Sequence, residues 1–324
     1  MGRIEDWRGV LKADPTEWLL EEENPVVRYW ALRDLVDASG KEIEGTRQQL
    51  LRSEVVQEVF HQQKPQGHWE NPDNMHTPHY TSTIYQLTLL GDLGLKAEDE
   101  RIVKGVEMVL KTQRDDGGFP GHDPRECAYG PHDIGLIIRF MHQFGLGDDP
   151  RVKRMYEWIE GNQTPEGGWV GAKGRCNPTP EGCLNGSANV LWGLATAEEF
   201  VGTDVAQKGV EFLAKAIATP GLRYGRRLSY PQFWNFWVDD IKLAEIYLGL
   251  GINPNEEPLK GCLNNILASQ EKDGRWSEHS GPYSGDHQNC RQMRKLFPKK
   301  GQPSKWVTAK AMIVLKQAYS RAGR

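Results

Sequence analysis

One short motif recurs along the chain and constrains its fold more than any other feature. Gln63-Lys-Pro-Gln-Gly67-His-Trp69, Gln113-Arg-Asp-Asp-Gly117-Gly-Phe119, Gln163-Thr-Pro-Glu-Gly167-Gly-Trp169 and Gln270-Glu-Lys-Asp-Gly274-Arg-Trp276 share one pattern: Gln, three residues, Gly, one residue, aromatic. A fifth copy is decayed, with Ile217 in place of Gln, Gly221 kept and Arg223 at the aromatic position. The anchors at 63, 113, 163, 217 and 270 recur about every 50 residues, a period that marks repeated supersecondary units.

Each anchor follows an amphipathic segment. Val152, Met155, Tyr156 and Ile159 fall at helical spacing, as do Ile102, Val106, Val109 and Leu110, and again Val210, Leu213 and Ile217. After each anchor and a loop comes a more apolar helix, at about 80–93, 133–144, 187–200, 233–250 and 306–319. Asn24-Pro25 reads as an N-cap and first-turn pair opening a sixth, 26–36, closed by Gly40, with the short segment 15–22 as its partner. No strand-length β-branched alternation interrupts the pattern. A helix pair cannot bury its apolar face alone, so neighbours must stack. Apolar helices alternating with amphipathic ones predict a closed ring, an all-α (α/α)6 toroid with six inner and about six outer helices.

The loops are uneven. Connections after the inner helices are short, as at 94–98, 145–149 and 251–256, whereas those before them are long. Helix direction alternates, so the long loops gather at the end holding the inner-helix N-termini, where free N–H groups and the positive dipole end point inward. Loops of that length are usually functional. The longest, 277–304, is polar and basic and reads as a possible lid.

Composition excludes several classes. The 324 residues, 38% hydrophobic and 26% charged, suffice for a sizeable core in one repeat-built domain, 1–324. The net charge is −4 and no basic patch interleaves with aromatics, which argues against nucleic-acid partners. Charges throughout the first twenty residues argue against a signal peptide, and no run of about 18 apolar residues exists to span a membrane. Five cysteines, an odd count, point to free thiols in a reducing, cytoplasmic setting.

The Gln163 copy, preceded by Arg154, Trp158 and Ile159, resembles the QW motif of squalene-hopene cyclases. The same repeat family includes the β subunits of protein prenyltransferases. The resemblance covers nearly the whole chain. It implies the terpenoid-cyclase/prenyltransferase toroid, in which the Gln caps a neighbouring helix end and the aromatic packs between repeats. It speaks to fold more than to function.

Candidate chemistry lies where the long loops meet the inner helices: His76, His79 and Tyr80; Cys127, Tyr129, His132 and Asp133; Cys176, Cys183 and Asn185; Tyr230, Trp234, Trp237, Asp239 and Asp240; Lys305 and Trp306. Class II terpene cyclases carry Asp-x-Asp-Asp at such a mouth, with the middle Asp as proton donor. The matching stretch here, Trp237-Val238-Asp239-Asp240, lacks the first Asp, and the resemblance gives Asp239 the acid role. Such an acid must stay protonated, which takes burial and a like-charged neighbour such as Asp240. Trp234, Trp237, Tyr80, Tyr230 and Trp306 offer aromatic faces to a cation, and His79, Tyr129 and Asp133 complete the expected substrate wall. His132 is the expected proton shuttle, with Cys176 and Cys183 assisting.

The favoured reading is a cofactor-free lyase- or isomerase-type enzyme acting by proton transfer on a small apolar, isoprenoid-like substrate. Two alternatives stand beside it. Cys127, His132, Cys176 and Cys183 have the donor types for zinc at the ring axis, as in prenyltransferases and lanthionine cyclases. The prenyltransferase ligand pattern itself is missing, since Lys305-Trp306-Val307 stands where that family has its His. A Trp-lined ring that binds a lipid or peptide without catalysis is the other. Paired carboxylates such as Asp133 and Asp239 would suit a sugar, although the repeat speaks against that. Cys262, on an outer helix, reads as inert packing.

Overall fold

The computed structural model describes residues 7–120, 130–170, 178–179, 182–218, 228–230, 238–279 and 294–321. The chain begins with a 3-10 turn, Trp7–Val10, and a short helix α1 (Thr16–Leu19). The first inner helix, α2 (Pro25–Asp34), opens as its sequence dictates. Asn24 Oδ1 accepts the Val27 N–H at 3.1 Å, and Pro25 sits in the first turn, where a missing N–H costs nothing. Helices α3 (Gly40–Leu50) and α4 (Glu54–His61) follow. Gly40 therefore opens a helix rather than closing one. Ser39 caps it by accepting the Glu42 N–H at 3.3 Å, the S-x-x-E arrangement of a helix start.

Four outer–inner alternations follow the expected order. Inner helices are α5 (Thr83–Leu93), α7 (Gly130–Phe144), α9 (Leu184–Leu194), α11 (Asp240–Gly249) and α13 (Lys305–Arg321). Outer helices are α6 (Glu100–Leu110), α8 (Pro150–Gly161), α10 (Asp204–Ala218) and α12 (Leu259–Ala268). The inner helices are buried nearly all round, and α5 is buried at every residue. α9 stops at Leu194, short of the expected 200, and Glu198–Phe200 forms a separate 3-10 turn. Strand structure among the described residues is limited to Pro178–Thr179 paired with Gly182–Cys183.

The motif explains why the units stack. Gln63 Nε2 donates to Gly67 O in its own turn and to Arg101 O at the start of the next outer helix, both at 2.8 Å. Gln113 does the same with Gly117 O and Arg151 O, and Gln163 with Gly167 O and Val205 O. The indole N–H groups of Trp69, Trp169 and Trp276 each cap a carbonyl of the helix just before the motif, of Val59, Ile159 and Ile266. The glycine is obligatory at this contact. Gly117 has φ +87°, and a Cβ there would lie 2.1 Å from Arg154 O on α8.

The fourth anchor closes the ring. Gln270 Nε2 donates to Gly274 O and then to Ala13 O, just ahead of α1, while its Oε1 accepts the Lys12 N–H at 2.7 Å. The first outer segment thus occupies the place that the next repeat would fill. α13 packs on α2, and Gly94 at the end of α5 stands against Tyr29 of α2. Lys305 Nζ pairs with Glu21 across this seam at 2.5 Å and lies over Trp18, so it serves closure rather than the mouth. The result is the all-α toroid. Among the described residues no helix is long and apolar enough to cross a membrane.

Candidate active site

The inner-helix N-termini meet at the long-loop end, where α7 packs between α5 and α9. Its first turn presents two consecutive side chains to two different neighbours. His132 turns to α9, where its Nε2 lies 3.4 Å from Cys183 Sγ. Asp133 turns to the loop before α5, where its Oδ1 meets His76 Nδ1 at 2.5 Å, both side chains buried. The repeat fixes each geometry. Cys183 N–H donates to Trp169 O at 2.8 Å, Trp169 N–H donates to Ser187 Oγ at 2.9 Å, and Cys183 Sγ caps α9 through the Gly186 N–H at 3.4 Å. The backbones of α7 and α9 nearly touch: a Cβ on Gly135 would lie 2.0 Å from Asn189 O.

The same hydroxyl position recurs in three repeats. Thr83, Ser187 and Thr308 each accept the backbone N–H of the anchor tryptophan, at 3.0, 2.9 and 3.0 Å. Asp133 stands fourteen residues after Phe119, as Thr83 does after Trp69. An acid at a position otherwise held by a hydroxyl, partnered by a buried histidine, is a departure from the structural role. Around it His76, His79, Tyr80 and Tyr85 form one aromatic group. Tyr85 OH lies 3.4 Å from His76 Nε2 and 3.3 Å from His79 Nδ1. Tyr80 holds φ +73°, a conformation that costs a non-glycine residue about 1–3 kcal/mol and that concentrates at functional loops. A cavity of about 190 Å³ opens beside the pair, lined in part by Asn71, Asn74, Met75, Ile84 and Phe119.

Asp239 is the N-cap of α11. Its Oδ1 accepts the Lys242 N–H at 2.8 Å, and the side chain is buried. Burial pushes its carboxyl up to about 8; the Lys242 N–H opposes this, and the charges of Asp240 and Glu245 add to it. Burial likewise lowers the Lys242 ammonium to about 7, against the pull of Asp239. Lys242 Nζ donates to Asn189 Oδ1 at 2.5 Å, and Asn189 Nδ2 donates to His132 O at 3.1 Å, so one asparagine ties the α11 mouth to the α7 mouth. Asp240, expected beside Asp239 in the cavity, turns away. Its Oδ1 accepts from Asn265 on α12, and it raises the thiol of Cys262 far above its usual range together with burial. Consecutive helical residues point about 100° apart, and Asp239 already occupies the cap. Cys262 is buried, as expected of an inert packing thiol.

Tyr230 and Trp306, expected to line the substrate wall, stack on each other at 5.0 Å and 9°. Trp30 and Phe297 meet both rings edge-on or tilted. The base of the expected lid holds this group. Glu278 Oε2 accepts the Tyr230 N–H at 3.1 Å, and Ser277 bridges Pro303. The lid's middle, 280–293, lies outside the described residues, as do Cys127, Tyr129, Cys176, Trp234, Trp237 and the decayed anchor with Gly221 and Arg223. Among the described residues no three His, Cys, Asp or Glu side chains are grouped to hold a metal. His132 and Cys183 are two of the four nominated zinc donors, and the other two lie in that outside set.

The inner helices carry charges that an apolar reading passes over. Arg139 Nη2 donates to Asp92 Oδ1 at 2.8 Å and lies 3.6 Å from Glu245; Lys310 Nζ lies 3.3 Å from Glu245. Trp192 donates its indole N–H to Glu245 at 2.8 Å, and both Arg139 and Lys242 lie over its ring. The signal was a charge inside an apolar run, as in Ile137-Ile138-Arg139-Phe140-Met141 and Ala309-Lys310-Ala311. Lys242 carries the same signal in Ile241-Lys242-Leu243-Ala244, whereas nothing in the local sequence of Asn189 and Tyr85 distinguishes them from packing residues.

No protein-family model matches the chain, and no curated protein matches it. Among solved structures, the chain is similar to the type II terpene cyclase MstE from Scytonema, with 14% identity, 82% of this chain and 96% of that one covered, and a TM-score of 0.31. A protein from Actinoplanes is 12% identical over 84% of this chain and 99% of that one, with a TM-score of 0.32. The unsaturated glucuronyl hydrolase from Bacillus sp. GL1 is 13% identical over 97% of this chain and 86% of that one, with a TM-score of 0.43. Likenesses this distant carry no argument about substrate or chemistry.

Proposed function

We propose that the toroid is an enzyme of lyase or isomerase type that transfers protons at the inner-helix mouth, with Asp239 as the acid. One observation carries this reading: a carboxyl buried at the N-cap of α11 and pushed up to about 8, so that it holds its proton at neutral pH. Asp239 gives that proton to an unsaturated carbon of an apolar substrate. The cation so formed then loses a proton from a neighbouring carbon to a base, and the electron pair of that C–H bond closes the new double bond. His132, beside Cys183 and tied through Asn189 to Lys242, is the base this arrangement favours. His76, oriented by Asp133, is a second proton acceptor at the same end of the ring. No cofactor is required by this cycle, and the apolar, isoprenoid-like substrate class is part of the proposal.

Incubation in D2O with a panel of ten- to twenty-carbon isoprenoid alcohols tests it, read by mass spectrometry. Wild type should place carbon-bound deuterium in at least one substrate, and Asp239→Asn should lose that incorporation while keeping its helical circular dichroism. Wild-type incorporation by the Asn variant would remove Asp239 from the mechanism, and none by wild type across the panel would remove the substrate class.

A second reading rests on the His132–Cys183 contact. Two ligands of one tetrahedral zinc, at about 2.0 and 2.3 Å from the metal, lie roughly 3.5 Å apart. The 3.4 Å between Nε2 and Sγ fits that spacing. When bound, zinc would supply a Lewis acid or an activated thiolate, held by His132 and Cys183 together with Cys127 or Cys176. Elemental analysis of untagged protein separates the readings. About one zinc per chain, lost in Cys183→Ser, supports the metal reading and makes Asp239 secondary.

A further inference from the structure

At the end of the ring opposite the long loops lies a cavity of about 370 Å³ that the proton chemistry does not use. Its floor is ionic and buried: Asp92, Arg139 and Lys310, with Glu245 beside them. Its rim carries the exposed cation Lys96 and the Arg33–Asp34 pair, joined by hydrogen bonds of 2.7 and 2.5 Å. Trp30 forms part of the wall, with Lys310 Nζ 5.0 Å from its ring.

Three buried polar atoms of this lining have no protein partner: Asp92 Oδ2, Arg139 Nε and Gln143 Oε1. The Gln143 orientation is fixed, because its Nε2 donates to Asp92 Oδ1 at 2.8 Å, and so its free atom is an acceptor. Asp92 and Arg139 are each more than nine-tenths buried. Leaving such atoms unsatisfied is expensive, each costing on the order of 1–3 kcal/mol. The floor therefore asks for two donors and one acceptor from its occupant. Its charges sum to zero, Asp92 and Glu245 against Arg139 and Lys310. Burial tends to raise the Asp92 carboxyl, yet Lys310 and Arg139 hold it below its usual range, so it meets the occupant as an anion. A donor group that is cationic suits that anion. An occupant that is neutral overall leaves no unbalanced charge in the ring, and a carboxylate directed outward would face Arg139 Nε and Lys96.

We propose that this cavity is a binding site for a small zwitterion with an ammonium beside a carboxylate, a free α-amino acid being the simplest member of the class. The ammonium lies between Asp92 Oδ2 and Gln143 Oε1, and the carboxylate takes the Arg139 Nε–H. Gly91 makes room for this arrangement, since a Cβ there would meet Gln143 Oε1 at 2.6 Å. The site is linked to the mouth through Trp192, whose ring lies under both Arg139 and Lys242.

The test uses the full chain and the twenty free amino acids as probes, with calorimetry and saturation-transfer NMR. At least one should bind at one site per chain. Asp92→Asn should weaken it about tenfold or more, the loss expected for one buried charged hydrogen bond. Gly91→Ala adds a single methyl group within a helix, keeps the fold, and should weaken binding by displacing Gln143. Cys183→Ser, at the far end, should leave it unchanged. If none of the twenty binds, the proposal fails. Equal binding by wild type, Asp92→Asn and Gly91→Ala would place any bound amino acid elsewhere and overturn the assignment.

Discussion

Asp239 and Lys242 sit one helical turn apart in the same buried mouth, and their titrations pull stability in opposite directions. Asp239 moves from an ordinary 3.8 to about 8 on folding. Between those values the native state keeps a proton that the unfolded chain has released, so stability falls as pH rises through that window. Lys242 moves from 10.5 to about 7. Between 7 and 10.5 the unfolded chain binds the extra proton, so stability rises with pH there. Urea unfolding across pH should therefore show a decline followed by a recovery. Asp239→Asn keeps the cap, because an amide oxygen also accepts the Lys242 N–H, and should remove the decline. Lys242→Met should remove the recovery. A pH-independent wild type would contradict both shifts. At this scale the sequence was only partly informative. The sequence placed Asp239 inside a helix expected at 233–250, whereas α11 opens at Asp240 with Asp239 as its cap, and the Asp239–Asp240 doublet suggested a shared site. The divergence of Asp239 and Asp240 to different partners, the Lys242 N–H and Asn265, depends on which residue takes the cap, and only the fold decides that.

The repeat unit was the most legible feature, because its signal is local and written four times. Gln, Gly and the aromatic each have one task that the backbone imposes: two carbonyls bridged, a left-handed turn under the next outer helix, and an indole that caps the helix just ended. Gly40 misled for an equally local reason, since a glycine after an apolar helix and one before a new helix look alike until Ser39 and Glu42 are read together. Trp169→Ala should cost about 3–5 kcal/mol, the range for removing a fully buried large aromatic. Trp169→Phe should cost less, losing mainly the bond to Ile159 O. Because Trp169 also holds Cys183 and Ser187, the alanine variant should loosen the His132–Cys183 contact as well. Denaturant unfolding measures the first effect, and an unchanged midpoint in the alanine variant would mean that the anchor does not carry the packing.

For the molecule as a whole, closure rests on few groups. Gln270 joins the last repeat to the first segment through Ala13 and Lys12, and Lys305 pairs with Glu21 beside it. Gln270→Leu removes the bonds to Ala13, Gly274 and Lys12, each worth about 1 kcal/mol net. Hydrogen exchange should then quicken first in α1, α12 and α13, while α7 and α9, far round the ring, keep their protection. Uniform acceleration would mean that the seam is not a separate weak point. The ring was predictable from alternating helix character, but its interior was not. Five charged residues on inner helices (Asp92, Arg139, Lys242, Glu245 and Lys310) meet only once six helices are wrapped together, and no sequence window contains them.

The account turns on one buried carboxyl holding its proton at neutral pH. Carboxyl-carbon NMR of aspartate-labelled protein, titrated from acid to mildly alkaline pH, reads that proton directly. One aspartate signal should titrate near pH 8 and vanish in Asp239→Asn. If the signal assigned to Asp239 instead titrates in the ordinary range near 3.8, the mouth holds a plain carboxylate and the acid role is lost.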